Sequence, residues 1–295
     1  MSKTTAQPPS KAATRGSRVD DSRQVAYDVL RAVAERDAYV NLTLPMMLRE
    51  RQISGRDAAF ATELTHGTIR RQGSYDPVLD SLLRGPVEPP VRDLLRLGTH
   101  QLLSMRVPAH AAVATTVELT RANVGERPVR LVNAVLRRVG RMRLSSWMDK
   151  VAPPRREPTL VEHLATVHSH PAWMVEALRD VLGDLDEVEA MLQADNEPPG
   201  VTLVARPGRA TVEELLEAGA VPGRWSPYAA RWSGGDPGTL AAVREGRVGV
   251  QDEGSQLVAH ALANARLDGP DRSWLDLCAG PGGKSALLAG LAERG

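Results

Sequence analysis

Apolar residues begin to recur with a helical period at Asp21. Val25, Val29 and Val33 fall every four residues, with Leu30 beside them and charges opposite, which predicts a helix with one buried face. Ser54 and Asp57 then have capping-box spacing ahead of Ala58, Ala61 and Leu64. Pro90 suits the first turn of a helix carrying Val91, Leu94, Leu95, Leu102 and Leu103. A helix through Val113, Val117 and Leu119, and another from Pro128 to Met142, complete an all-helical bundle over 21–143.

The pattern then changes. Residues 147–158 contain the run Val151-Ala152-Pro153-Pro154-Arg155-Arg156-Glu157-Pro158, which is proline-rich with little to bury and predicts a linker. Beyond it, Leu160 to Val167, Ala172 to Leu182 and Glu187 to Ala194 are helical in pattern. Val201-Thr202-Leu203-Val204-Ala205 alternates and is β-branched, so a strand is expected, and Thr211 with Glu214 has the spacing of a second capping box. Residues 159–245 therefore predict a small α+β subdomain. At the other end, residues 1–20 are Ser, Thr, Ala, Pro and basic residues with Asp20 the only acid, which predicts a disordered arm.

Near the C-terminus, Val248-Gly249-Val250 predicts a short strand leading into a helix over Gln256 to Asn264. Ser273-Trp274-Leu275-Asp276-Leu277 has the composition of a short buried strand, and Ala286-Leu287-Leu288-Ala289 that of a helix. Between the last two lie Gly280, Gly282 and Gly283. Glycine permits positive φ and close approach of a ligand to the backbone. The free N–H groups at the following helix start would then face that ligand, which suits a nucleotide-like molecule or a carboxylate. The spacing misses two familiar motifs by one residue each: a phosphate-cradling loop would need glycine at Cys278, and a dinucleotide fingerprint would need glycine or alanine at Ser285.

Composition bounds the rest. With 295 residues there is room for two or three domains, and 42% hydrophobic with 25% charged residues is ordinary for a soluble globular chain. A net charge of +1 means that affinity for nucleic acid would come from local patches. A single cysteine excludes an internal disulfide and points to a reducing compartment, the cytoplasm. No apolar run approaches the length of a membrane span.

One local patch stands out. Between Arg121 and Arg143 there are seven arginines and a single acid, Glu126. At about 100° per residue, Val132, Val135, Leu136 and Val139 fall on one side of a helix, with Arg130, Arg137 and Arg141 opposite and Arg127 close by. Guanidinium groups pair bidentately with phosphate, so a one-sided arginine row suits a nucleic-acid backbone; a solvated charged face is the plainer alternative. His66 and His110, and the group His163, His168 and His170, lack further ligands at metal-binding spacing, and no metal site is expected. Trp225, Tyr228 and Trp232 beside Arg224 and Arg231 are better read as packing aromatics than as base-stacking platforms.

The loop Asp276-Leu277-Cys278-Ala279-Gly280-Pro281-Gly282-Gly283-Lys284-Ser285 has the form D-x-C-A-x-P-G-G-K-[ST]. It resembles the cofactor loop of the RNA 5-methylcytosine methyltransferases of the RsmB (Sun, Fmu) and NSUN family. The stretches Ala61 to Arg70, Leu95 to Leu103, Val107 to Val113 and Val132 to Arg138 are similar to the NusB-like helical RNA-binding module found in front of RsmB-type enzymes. Asn196-Glu197-Pro198-Pro199 is similar to the family's opening of the small subdomain, and Gln251-Asp252-Glu253-Gly254-Ser255 to the Q-D-x-x-S segment that helps frame its site.

The resemblance implies an all-α NusB-like bundle over 21–146, a small α+β subdomain, and over 246–295 the start of a Rossmann-like α/β methyltransferase domain. It implies S-adenosylmethionine as cofactor, held by Cys278, Ala279, Gly280, Pro281, Gly282, Gly283 and Lys284. It implies small-subunit 16S ribosomal RNA as substrate and, with the arginine row, assigns RNA contact to Arg127, Arg130, Arg137 and Arg141; a monomer is expected.

In the family, a cysteine thiolate adds to carbon 6 of cytosine so that carbon 5 can attack the methyl donor. The two cysteines that do this work stand in P-C and T-C motifs, and this sequence holds neither. Cys278 corresponds to a cofactor-lining position, so the nucleophile is expected beyond Gly295 and the chain is expected to be a catalytically incomplete piece of a longer enzyme. The alternative is a non-catalytic NusB-like RNA-binding or antitermination module.

Overall fold

The computed structural model describes residues 20–197, 200–269 and 273–292. Apart from Asp20, the arm expected over 1–20 lies outside the described residues, as do Pro198 and Pro199. The chain divides after Glu197 into two compact units.

The first unit is helical: α1 Asp21–Arg36, α2 Val40–Glu50, α3 Gly55–Arg70, α4 Gln72–Asp80, α5 Pro89–Leu103, α6 Ala109–Asn123, α7 Val129–Val139, α8 Leu144–Val151, α9 Leu160–His168, α10 Ala172–Leu182 and α11 Leu185–Ala194. The carboxylate of Asp20 accepts the Arg23 N–H at 3.0 Å and caps α1, which ends at Asp37 in a left-handed conformation. The four-residue repeat is the buried stripe of α1, with Val25 and Val29 packed on Leu44 of α2. Helix α5 runs through the middle. Its Leu94 and Leu97 pack with Leu30 and Leu64, while its Val91 and Leu95 pack with Val132, Val135 and Leu136 of α7.

Three expectations change here. Ser54 occupies the N-cap position of α3, yet its side chain makes no capping bond. Residues 147–151 are helix rather than linker: Trp147 is buried, and its indole N–H donates to the Val139 carbonyl at 3.0 Å. Anchored apolar surface at Trp147 and Met148 is worth more than the freedom of a linker, so the irregular segment begins only at Ala152. Third, α9 to α11 belong with the helical unit rather than with the sheet, because the Ser74 hydroxyl on α4 donates to the Thr166 carbonyl on α9 at 2.7 Å. Asn196 closes that group, its amide donating to the carbonyls of His168 (2.6 Å) and Leu192 (3.0 Å).

The second unit contains β1 Val201–Ala205, α12 Val212–Glu217, β2 Val221–Pro222, β3 Ala229–Trp232, a 3₁₀ turn at Pro237–Thr239, α13 Ala241–Arg244, β4 Val248–Val250, α14 Glu253–Ala263 and α15 Gly283–Ala292. The strands form one antiparallel sheet in the order β2-β3-β1-β4. Leu203, Ala230 and Val248 face Leu215 on one side, and Val204 meets Ala259, Leu287 and Leu288 on the other. The hydroxyl of Thr211 caps α12 by accepting the Glu214 N–H at 3.3 Å.

Strand β4 pairs with β1, Gly249 opposite Val204, so the segment expected to open a methyltransferase domain at 246 completes the small sheet instead. Nor is Ser273–Leu277 a buried strand. It is irregular, with Leu275 83% and Leu277 86% exposed. A strand is held by its neighbours' hydrogen bonds, and among the described residues no strand edge pairs with this segment.

Candidate functional site

The glycine-rich turn is tied at both ends by Asp276. One carboxylate oxygen accepts the Cys278 N–H at 2.9 Å and the other accepts the Ser285 hydroxyl at 2.6 Å. These two bonds, that from Ser285 first, hold the Asp276 carboxyl below the usual aspartate range. Gly282 has φ +103°, a conformation that a side chain would strain. Gly283 opens α15, whose first N–H groups have no partner within the helix and carry its positive dipole end.

Gln251 lies against this helix start. Its carboxamide carbon is 3.5 Å from where a Cβ on Gly283 would stand. The backbone of Gln251 is fixed from behind, its N–H donating to the Thr202 carbonyl (3.0 Å) and its carbonyl accepting the Gln256 amide (3.0 Å). Its side chain is buried, and neither Nε2 nor Oε1 has a hydrogen-bond partner among the described residues. An orphaned buried amide costs about 1–3 kcal/mol. Gln251 lies in the segment expected to frame the site, but nothing in its spacing reveals that its amide has no partner among the described residues.

A largely apolar cavity of about 750 Å³ adjoins the turn between α14, α15 and 273–278, with Val258, Leu262, Leu275, Cys278 and Lys284 in its walls. Of the seven loop residues expected to hold a cofactor, Cys278 and Lys284 therefore border a cavity, whereas Ala279, Gly280 and Pro281 are exposed and Gly282 and Gly283 half-buried. The set fits S-adenosylmethionine. The α15 terminus offers N–H donors to a carboxylate, Gln251 offers a donor and an acceptor, and the cavity offers apolar surface.

On α7, Val132, Val135, Leu136 and Val139 are buried. Arg127, Arg130, Arg137 and Arg141 are exposed, and none forms an ion pair among the described residues. Glu126, the one acid nearby in sequence, is taken by Arg121. Among the described residues the one side-chain hydrogen bond of this row goes to Asn133, whose amide oxygen accepts the Arg137 Nε–H at 3.1 Å.

The histidines divide differently from their sequence prominence. His110 is exposed and His66 half-buried, while His100 is in the core, its Nδ1 2.8 Å from the Tyr75 hydroxyl. Burial pushes the Tyr75 phenol far above its ordinary range. Among the described residues no cluster of three His, Cys, Asp or Glu could hold a metal ion. Trp232 packs beside the small sheet's core, and Trp225 is exposed with the Arg224 guanidinium 4.5 Å from its ring centre.

Residues 20–141, which span α1 to α7, match the NusB family. The whole chain has longer relatives. It is 51% identical over 287 residues to a Mycobacterium tuberculosis protein named as a methyltransferase, covering 94% of this chain and 62% of that one. It is 32% identical over 290 residues to ribosomal RNA small subunit methyltransferase B of Pseudomonas putida, covering 92% of this chain and 61% of the relative. The crystal structure of PH0851 shares the fold, with a TM-score of 0.67 at 18% identity over 95% of this chain and 62% of that one. Over nearly its whole length, then, the chain is similar to proteins named as methyltransferases, and it spans 62% of the mycobacterial relative's length.

Proposed function

We propose that this chain holds the RNA and the methyl donor for an RsmB-type enzyme that methylates carbon 5 of a cytosine in 16S ribosomal RNA through a cysteine–cytosine adduct. The observation that carries the donor half is the meeting of Gln251 with Gly283: an amide with no partner among the described residues, beside the N–H groups at the start of α15 and next to an apolar cavity. S-adenosylmethionine supplies the methyl group. Gly283, Lys284 and Gln251 would bind its methionine end, Asp276 keeps the turn folded, and Cys278 lines the site rather than attacking the base.

The arginine face of α7 carries the RNA half. Arg127, Arg130, Arg137 and Arg141 have no carboxylate partner among the described residues, which leaves them to take phosphates. No Pro-Cys or Thr-Cys dipeptide occurs in the 295 residues, so the chain by itself is expected to transfer no methyl group.

Calorimetric titration with S-adenosylmethionine tests the donor half: saturable binding that is lost in Gln251→Ala supports it. Absent binding with retained RNA affinity would leave a non-catalytic NusB-like RNA-binding module. Robust methyl transfer by the purified chain would overturn the role given to Cys278.

A further inference from the structure

The helical unit contains a second cavity, of about 360 Å³, where α6 meets α7. Val113 and Leu136 form apolar walls, and His110, Asn133 and Arg137 supply polar groups. The volume lies in the range of small-ligand sites, ~300–1,000 Å³. The hydrogen bond from Arg137 fixes the chemistry of the rim. Nε–H can only donate, so the Asn133 amide turns its oxygen toward Arg137 and leaves Nδ2 as a donor without a partner among the described residues. The terminal guanidinium nitrogens of Arg137 and the exposed His110 ring are likewise unengaged among the described residues.

We propose that this cavity takes a single unpaired nucleobase of single-stranded RNA. The carbonyl edge of the base accepts from Asn133 Nδ2, its ring lies against His110 and the apolar walls, and Arg137 takes the adjoining phosphate. Unpaired RNA is required, because a base reaches such a slot only when splayed out of a helix. Asparagine pairs with adenine by accepting from N6 while donating to N7; here Arg137 already uses one of the two lone pairs of that oxygen, which weakens it as an acceptor for N6, whereas Nδ2 is unengaged among the described residues. Bases with an exocyclic carbonyl, uracil above all, are therefore preferred to adenine. This inference rests on the assignment of the α7 face to RNA and adds to it a site that reads a base.

Fluorescence anisotropy of the full 295-residue chain with U12 and A12 RNA over a salt series provides the test. U12 should bind roughly tenfold more tightly than A12, within the range of a single stacked base. Ala114→Trp fills the cavity from an exposed position of α6, and Asn133→Leu removes the donor. Each should bring the ratio close to one while leaving the helical circular dichroism and the salt slope unchanged. Arg130→Met should do the reverse, lowering the slope and keeping the ratio. Equal affinity for the two RNAs, or a preference that survives Ala114→Trp, overturns the base site alone. Loss of all RNA affinity in the unaltered chain overturns the α7 assignment as well.

Discussion

A Cβ on Gly67 would stand 2.3 Å from the imidazole of His100, far inside van der Waals contact. The ring has no room to move, because it is buried on α5 and hydrogen-bonded to Tyr75. Replacing glycine in a helix by alanine ordinarily gains about 1 kcal/mol. Overpacking a fixed core costs about 1–3 kcal/mol. The clash should win: Gly67→Ala is expected to lower stability by about 1 kcal/mol or more in urea unfolding. Adding His100→Ala should recover part of the loss in a double-mutant cycle, and a stabilised single variant would show that the ring moves freely.

Asp93 is the hub of a buried charge network. Its carboxylate takes Arg31 at 2.6 Å and Arg96 at 2.9 Å, and Arg96 reaches on to Asp76 at 2.6 Å. Asp93→Asn leaves two largely buried guanidinium groups short of negative charge. Breaking such a pair costs about 3–5 kcal/mol. The variant should unfold at clearly lower denaturant with an unchanged slope, and a neutral result would mean that the arginines find water.

Glu189 joins the linker to the last helices. The Arg155 guanidinium, bonded to it at 2.9 and 2.6 Å, and then His168 at 3.1 Å hold its carboxyl at about 2, against an ordinary 4.5. Because the folded value is the lower one, the contribution is complete above pH 4.5 and disappears as pH falls toward 2. Glu189→Gln should therefore flatten the stability profile in that acid window and change little in its shape near neutrality. Parallel profiles for the two proteins would refute the assignment.

The positive φ of Gly282 is required by the turn and not by the core, since a Cβ there meets no atom within 4 Å. Strain of this kind costs about 1–3 kcal/mol, placed where the donor would bind. Gly282→Ala should weaken S-adenosylmethionine binding roughly tenfold and lower unfolding stability by no more than that strain, about 1–3 kcal/mol. Unaltered affinity would detach the turn from the donor.

Neutralising the arginine face is read by salt. Arg130, Arg137 and Arg141 changed together to Met should weaken RNA binding and flatten its dependence on salt, since fewer counterions are released. An unchanged slope would assign this face to solvent.

What the sequence determined by itself is whatever one or two turns of chain decide. The bounds of α10 and β1 agree with the pattern read along 172–182 and 201–205, and the burial of Val132, Val135, Leu136 and Val139 follows from their spacing. The glycines of the 280–283 turn were legible for the same reason, because backbone freedom is a property of the residue.

Tertiary structure decided the rest. It made 147–151 a helix by giving Trp147 somewhere to bury, and it gave β4 to β1. It left Leu275 and Leu277 exposed, put His100 in the core, and set the amide of Gln251, which has no partner among the described residues, against Gly283. Each outcome depends on a partner distant along the chain. Periodicity says which face of a segment is apolar, but only the packed chain supplies what lies against it.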